Sequence, residues 1–210
     1  MKEVVIVGIA GGTASGKTTL ANKLKRILKD DAVILSHDFY YKSLTHLTKA
    51  EREQRNYDCP EAFETDLLIN DLKKLISGQT IERPIYSYIE RLREKETVTV
   101  NPVPVIILEG LMVLENKKLL DLMDLKIYVD TEDDVRLIRL LERDTKKRGL
   151  TVEYIIKKYK TTLKPMHKKY IEPCKKKADL IVKGNVYRKK NVYSIIQIIE
   201  DIRKNKKQHH

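Results

Sequence analysis

The run Gly11-Gly12-Thr13-Ala14-Ser15-Gly16-Lys17-Thr18-Thr19 follows directly on the apolar segment Val4–Ala10, and this junction constrains the chain more than any other feature. A buried strand that ends in a glycine-rich turn and opens a helix aims several backbone N–H groups, and the positive end of the helix dipole, at one point. The glycine, lysine and threonine spacing is that of a phosphate-binding loop. Lys17 supplies an ammonium for the terminal phosphates, and Thr18 a hydroxyl for Mg²⁺. Leu20, Leu24, Ile27 and Leu28 then recur at helical spacing, with Lys23, Lys25 and Arg26 on the other face. Strand, loop and helix together imply a site for a nucleoside triphosphate.

Further strand-like runs occur at Val33–Ser36, Val105–Leu108, Lys126–Val129 and Leu180–Val182. Helical patterns separate them at Leu67–Ile76, Val135–Arg143, Val152–Leu163 and Val192–Ile202. Short continuous apolar strands alternating with helices predict an α/β fold, a parallel sheet with helices on both faces. Between residues 79 and 102, Thr80–Pro84, Ile85–Tyr88 and Glu96–Val100 alternate like short antiparallel strands, so a small β-rich flap is expected there. One domain over residues 1–205 accommodates all of this. The charged stretch Arg203–Gln208 is expected to fray, with residues 206–210 a disordered tail. His209-His210 reads as the stub of a purification tag.

Composition narrows the function classes. No apolar run approaches the roughly 18 residues of a membrane span. The N-terminal stretch is too short for the core of a signal peptide, carries Glu3 and leads straight into the phosphate loop, so a buried strand is expected there. Cys59 and Cys174 lie far apart, have no partners at metal-ligand spacing and read as free thiols of a reducing cytoplasm, so a cytoplasmic protein is expected. Nearly all of the net charge of +12 falls between Arg136 and Lys177, where fifteen Lys or Arg face Glu142, Asp144, Glu153 and Glu172. No aromatic-interleaved recognition motif accompanies this stretch, so no nucleic-acid partner is expected.

Ligands of parallel sheets bind at the carboxyl ends of the strands, a rule that collects the phosphate loop, Asp38, Glu109 and Asp130 on one edge. Asp38, just past the second strand, either caps a turn or accepts the proton of an attacking hydroxyl. Glu109 ends the third apolar run, where an acidic residue beside a phosphate loop typically holds Mg²⁺. Arg136, Arg139 and Arg143 share one face of a helix that begins after Thr131-Glu132-Asp133-Asp134 and ends near Arg148-Gly149. The row is either a solvated surface paired with Glu132 and Glu142 or, within residues 131–165, a lid that closes on a triphosphate.

Several blocks occur in order: the phosphate loop, Ser36–Lys42, Asn56–Phe63, Pro84–Tyr88, Glu96–Val100, Ile106–Gly110, Val129–Thr131 and Arg143-Asp144 with Arg148-Gly149. From residue 4 to about 185 the chain resembles the uridine kinase family of the phosphoribulokinase/uridine kinase group. The resemblance implies Mg²⁺-dependent transfer of a γ-phosphate, from ATP with GTP left open, to the 5′-hydroxyl of uridine or cytidine. It implies a small nucleoside as partner and a homotetrameric assembly. By the same resemblance Asp38 is the catalytic base, with Lys17, Arg139 and Arg143 as catalytic cations, and Arg148 joins the lid over the nucleotide. Tyr41, Tyr57, Asp58, Tyr86 and Arg136 correspond to the nucleoside site, Asp58 gripping the ribose hydroxyls. Thr18 and Glu109 correspond to the metal site.

Two positions depart from the family. Arg91 stands where the flap has a histidine that touches the nucleobase, and Lys158 where a glutamine lies near the nucleoside. Histidine and glutamine donate and accept hydrogen bonds, whereas arginine and lysine only donate. A donor-only pocket serves the uracil oxygens but not the cytosine amino group, which predicts a preference for uridine, or poor activity on both nucleosides if Arg91 blocks the site. Alternatively, Arg91 swings out to Glu90 or Glu94 and changes little. A kinase of another small hydroxylated, anionic metabolite would also suit the two cations. A guanine-nucleotide switch would carry Asn-Lys-x-Asp, yet Asn116-Lys117-Lys118 is followed by Leu119. RNA binding through the basic stretch is a third reading.

Overall fold

β1 (Val5–Gly11) is buried along its whole length and lies at the centre of the sheet, because both of its faces are apolar. Val5, Val7 and Ile9 point into one core layer, and Ile6 and Ala10 into the other. The computed structural model describes residues 4–184 and 189–208. Along the chain β1 is followed by α1 (Lys17–Leu28), β2 (Ala32–Ser36), α2 (Lys49–Gln54) and α3 (Thr65–Ile76). The flap hairpin comes next, β3 (Ile81–Ser87) and β4 (Leu92–Val100), then β5 (Val105–Gly110), α4 (Lys117–Leu120) and β6 (Leu125–Asp130). α5 (Asp133–Arg148), α6 (Val152–Lys158), α7 (Lys164–Met166), β7 (Leu180–Lys183) and α8 (Lys189–Gln208) complete the order.

The five-stranded sheet runs β2-β5-β1-β6-β7 with every pairing parallel. α1 and α8 cover one face through Leu20, Leu24, Val192, Ile195 and Ile199. α3 and the segment Leu111–Met123 cover the other, with Leu68, Leu72, Val113 and Leu114 in the same layer. Gly8 lets the Met123 side chain pack directly on the strand, since a Cβ there would lie 2.2 Å from Met123 Sδ and force that side chain to shift. The expected sheet with helices on both faces is present.

Three details differ from the sequence reading. The flap is one two-stranded hairpin, not three short strands; its register slips between Pro84 and Tyr86, where proline cannot donate to the ladder. The helix from Val152 does not stop at Leu163: it continues through π turns at Tyr159–Leu163 and His167–Ile171 on either side of α7. Pro165 lacks an N–H and sits within this wider winding. Finally, α8 runs through Gln208 where a frayed tail is expected. Lys206 pairs with Asp124 at 2.7 Å and donates to the Val4 carbonyl, and Arg203 pairs with Asp31, so its charges tie the helix down. Glu3 and the His209-His210 pair lie outside the described residues.

Candidate functional site

The phosphate loop leaves β1 at Gly11 and closes on itself through Ser15 N–H to the Gly12 carbonyl at 3.0 Å. Gly16 has φ 99°, and Ala14 takes the left-handed region at φ 59°, a cost of about 1–2 kcal/mol for a residue with a Cβ. Such strain recurs where a loop must keep a ligand-ready shape. No side chain caps the first turn of α1, which suits its donors to an anion. The loop is buttressed from behind: Thr131 Oγ1 donates to the Ser15 carbonyl at 2.9 Å, and Gly184 packs against both residues.

Glu109 is 5% exposed at the tip of β5. Ser36 Oγ donates to its Oε1 at 2.7 Å and Thr18 Oγ1 to its Oε2 at 3.2 Å. Burial pushes its pKa up, opposed by the nearby Lys17 ammonium. A buried carboxylate with residual proton affinity, touching the phosphate-loop threonine, fits a Mg²⁺ site formed by Thr18 and Glu109. Among the described residues no group of three or more His, Cys, Asp or Glu could hold a metal.

Asp38 stands on a 3₁₀ turn (His37–Tyr40) that Ser36 opens by accepting the Asp38 N–H at 3.3 Å. Its Oδ2 accepts from Tyr88 OH at 2.9 Å, while Oδ1 is buried and has no hydrogen-bond partner among the described residues. Around it gathers an aromatic cage. Tyr41 stacks on Phe63 at 4.3 Å, meets Tyr86 at 4.9 Å and takes Tyr57 edge-on at 5.5 Å. His37 stacks on Phe63 at 3.9 Å, and burial lowers its pKa to about 3, so it is neutral. Asp58 is 8% exposed. Burial raises its pKa against the pull of Lys158, Lys17 and Arg148, and the Asp38 charge raises it further. Asp38, Asp58, Glu109, Lys17, Arg148 and Lys158 therefore form one electrostatic neighbourhood.

The arginine row pairs with neither Glu132 nor Glu142. Arg136 is buried, bonding the Thr131 carbonyl and Asp133, and with Gly12, Asp130, His167 and Lys175 it lines a cavity of about 150 Å³ beside the phosphate loop. Arg139 donates to the Gly184 carbonyl at 3.3 Å. Arg143 and Arg148 share Asp144, and Arg148 also lies 5.2 Å from the Tyr88 ring centroid. Leu140, Ile155 and Tyr159 form a small separate core that packs Ala14 of the phosphate loop against α5 and α6. Asp130, at the expected edge, is held ionised by Lys183 and Lys175.

Arg91 turns to neither Glu90 nor Glu94. It sits at φ 52° in the flap turn, donates to the Glu53 carbonyl at 3.0 Å and hangs 5.6 Å from the Tyr57 ring, at the rim of the cage. Sequence reasoning missed Tyr88, Ser36 and Phe63. Ser36 had a usable signal, since in adjacent parallel strands the residue opening the Asp38 turn falls level with Glu109.

Comparisons with known proteins agree with this geometry. Residues 6–190 match the Phosphoribulokinase / Uridine kinase family. The chain is 50% identical to a uridine kinase of Staphylococcus epidermidis over 183 residues, 87% of this chain and 88% of that one. It is 48% identical to a uridine kinase of Clostridium novyi over the same shares. Among solved structures, the phosphoribulokinase of Rhodobacter spheroides superposes with a TM-score of 0.65 over 89% of this chain and 74% of that one, at 18% identity, a likeness of fold. With the phosphate loop, the buried carboxylates and the cage in place, the chain belongs to the phosphoribulokinase/uridine kinase family.

Proposed function

We propose that this protein transfers the γ-phosphate of ATP, with Mg²⁺, to the 5′-hydroxyl of a pyrimidine nucleoside, uridine foremost. The observation that carries the reading is Asp38 Oδ1, a buried carboxylate oxygen with no partner among the described residues, at the mouth of an aromatic cage and beside the phosphate loop. Half-identical relatives named uridine kinase support the acceptor class. In this reading Tyr41, Tyr57 and Tyr86 enclose the base and Asp58 accepts from the ribose hydroxyls. The 5′-oxygen bonds the γ-phosphorus as the bond from that phosphorus to the bridging oxygen breaks, and the hydroxyl proton passes to Asp38 Oδ1. Because the transition state is loose, Asp38 contributes mainly by orienting the nucleophile. Lys17, Arg139, Arg143 and Arg148 face the charge that spreads over the phosphoryl oxygens. Mg²⁺ held by Thr18 and Glu109 would neutralise the phosphates during transfer.

A coupled ADP-release assay tests this with uridine, 5′-deoxyuridine and no acceptor. Release that requires uridine and fails with the 5′-deoxy analogue supports it. Release indifferent to all three, or elicited only by an anionic acceptor, contradicts it.

A further inference from the structure

Tyr88 lies just beyond β3 in the flap turn, with its ring 48% exposed and its hydroxyl turned inward onto Asp38 Oδ2 at 2.9 Å. Asp38 Oδ1 is buried without a partner among the described residues. A carboxylate free to rotate presents its two oxygens interchangeably, whereas one held by a donor presents the other oxygen in a fixed direction. The Tyr88 ring is itself held on two sides. It meets Tyr86 edge-on at 5.5 Å, and the Arg148 guanidinium lies 5.2 Å from its centroid. Tyr86 belongs to the cage and Arg148 ends the lid helix α5, so flap, cage and lid converge on one phenol. Although the residue is half exposed, its inward-turned hydroxyl is desolvated, and this, with the Asp38 and Glu109 charges, drives the phenol pKa above its usual value, so Tyr88 is a donor throughout the working range.

We propose that Tyr88 is a positioning residue for phosphoryl transfer: its hydroxyl locks Asp38 so that Oδ1 alone meets the acceptor hydroxyl. Arg148 over the ring makes this alignment depend on the flap and the lid being closed together. The inference rests on the kinase reading above.

The test uses the full chain with Mg-ATP and uridine. Tyr88→Phe removes the hydroxyl and keeps the ring contacts. The expected result is a fall in kcat of about 10- to 100-fold, the scale of a misplaced catalytic group, with the uridine KM and the directly measured uridine Kd changed less than about twofold. In an Asp38→Asn background the same change should cost nothing further, the signature of two residues acting as one unit. Replacing Tyr88 with a fluorotyrosine, which keeps ring and hydroxyl but donates more strongly, gives a second arm that does not depend on how Phe is tolerated; kcat should respond to phenol acidity. A raised KM at unchanged kcat would make Tyr88 a wall of the pocket only, and a raised kcat would make it a brake. Additive losses in the double variant, or indifference to phenol acidity, would also overturn the proposal. A wild-type chain with no nucleoside-dependent turnover contradicts the kinase reading itself, whereas an active wild type unmoved by Tyr88→Phe contradicts this inference alone.

Discussion

Ser36 and Glu109 stand opposite each other at the ends of β2 and β5, and the Ser36 hydroxyl donates to Glu109 Oε1 at 2.7 Å. Parallel register alone brings them level, so the sheet itself orients the carboxylate toward Thr18 and the phosphate loop. Holding a buried charge there opposes folding, as its raised pKa records.

Glu109→Gln should therefore separate function from stability. Without the buried charge the thermal midpoint is expected to stay level or rise, while kcat/KM falls about 100-fold, as when an electrostatic group at the reacting centre is lost, and the Mg²⁺ requirement increases. A variant that melts lower and keeps the wild-type Mg²⁺ dependence would show that Glu109 is a structural acid.

Gly184 is the tightest joint behind the phosphate loop. A Cβ there would lie 2.0 Å from Thr131 Oγ1 and 2.1 Å from the Ser15 carbonyl, and the latter is backbone that cannot swing aside. Gly184→Ala should cost about 1–3 kcal/mol of stability and weaken ATP binding by pushing Ser15 out of place. Gly149→Ala is the comparison, since its site is open and only the left-handed φ of 64° opposes a side chain. Equal ATP affinity in the two variants would contradict the buttress.

Acid should destabilise the fold through His37. Burial lowers its folded pKa to about 3, below the ordinary histidine value of 6.5. The unfolded chain therefore binds the proton first, and stability present above pH 6.5 is lost as pH falls toward 3. The slope approaches about 1.4 kcal/mol per pH unit for one such group. The buried Asp58 and Glu109, whose pKa values are raised, act in the opposite sense, adding stability as pH falls through their raised values toward the ordinary carboxylate range. Urea unfolding from pH 7 to 4.5 should show the loss, and His37→Phe should reduce its slope, leaving the share of His167, whose pKa burial lowers to about 4. An unchanged slope in that variant would assign the acid sensitivity elsewhere.

Specificity should follow the donor-only rim. Arg91 holds the Glu53 carbonyl over Tyr57, and Lys158 lies near Asp58. Leaving the cytosine amino group unpaired costs about 1–3 kcal/mol, or roughly 5- to 150-fold in favour of uridine. Lys158→Gln and Arg91→His together should raise the cytidine-to-uridine ratio of kcat/KM. A wild-type ratio above one would refute the rim's role.

Much of this molecule was legible in the sequence because its signals are local. Apolar runs of strand length, the glycine spacing of the phosphate loop and the acidic start of α5 each fix their own element. Glu109 and Asp38 could be placed because strand ends in parallel sheets converge. Tyr88 could not, since its contact with Asp38 spans fifty positions and depends on how far the flap folds over the edge. The arginine row was legible as a helix face but not in its partners. Arg136 turns back to Asp133 and the Thr131 carbonyl because these lie at the start of its own helix. The tail misled because its charges look solvated, and only the fold brings Lys206 to Asp124 and Arg203 to Asp31.

Phosphorus and proton NMR of the product formed from uridine and Mg-ATP tests the central claim most directly, with Asp38→Asn run alongside. The account predicts a single phosphomonoester on the 5′-oxygen, formed about 100- to 10,000-fold more slowly by the variant, the usual range for loss of a positioned base. Phosphate on a 2′- or 3′-oxygen, or a variant as fast as wild type, would contradict it.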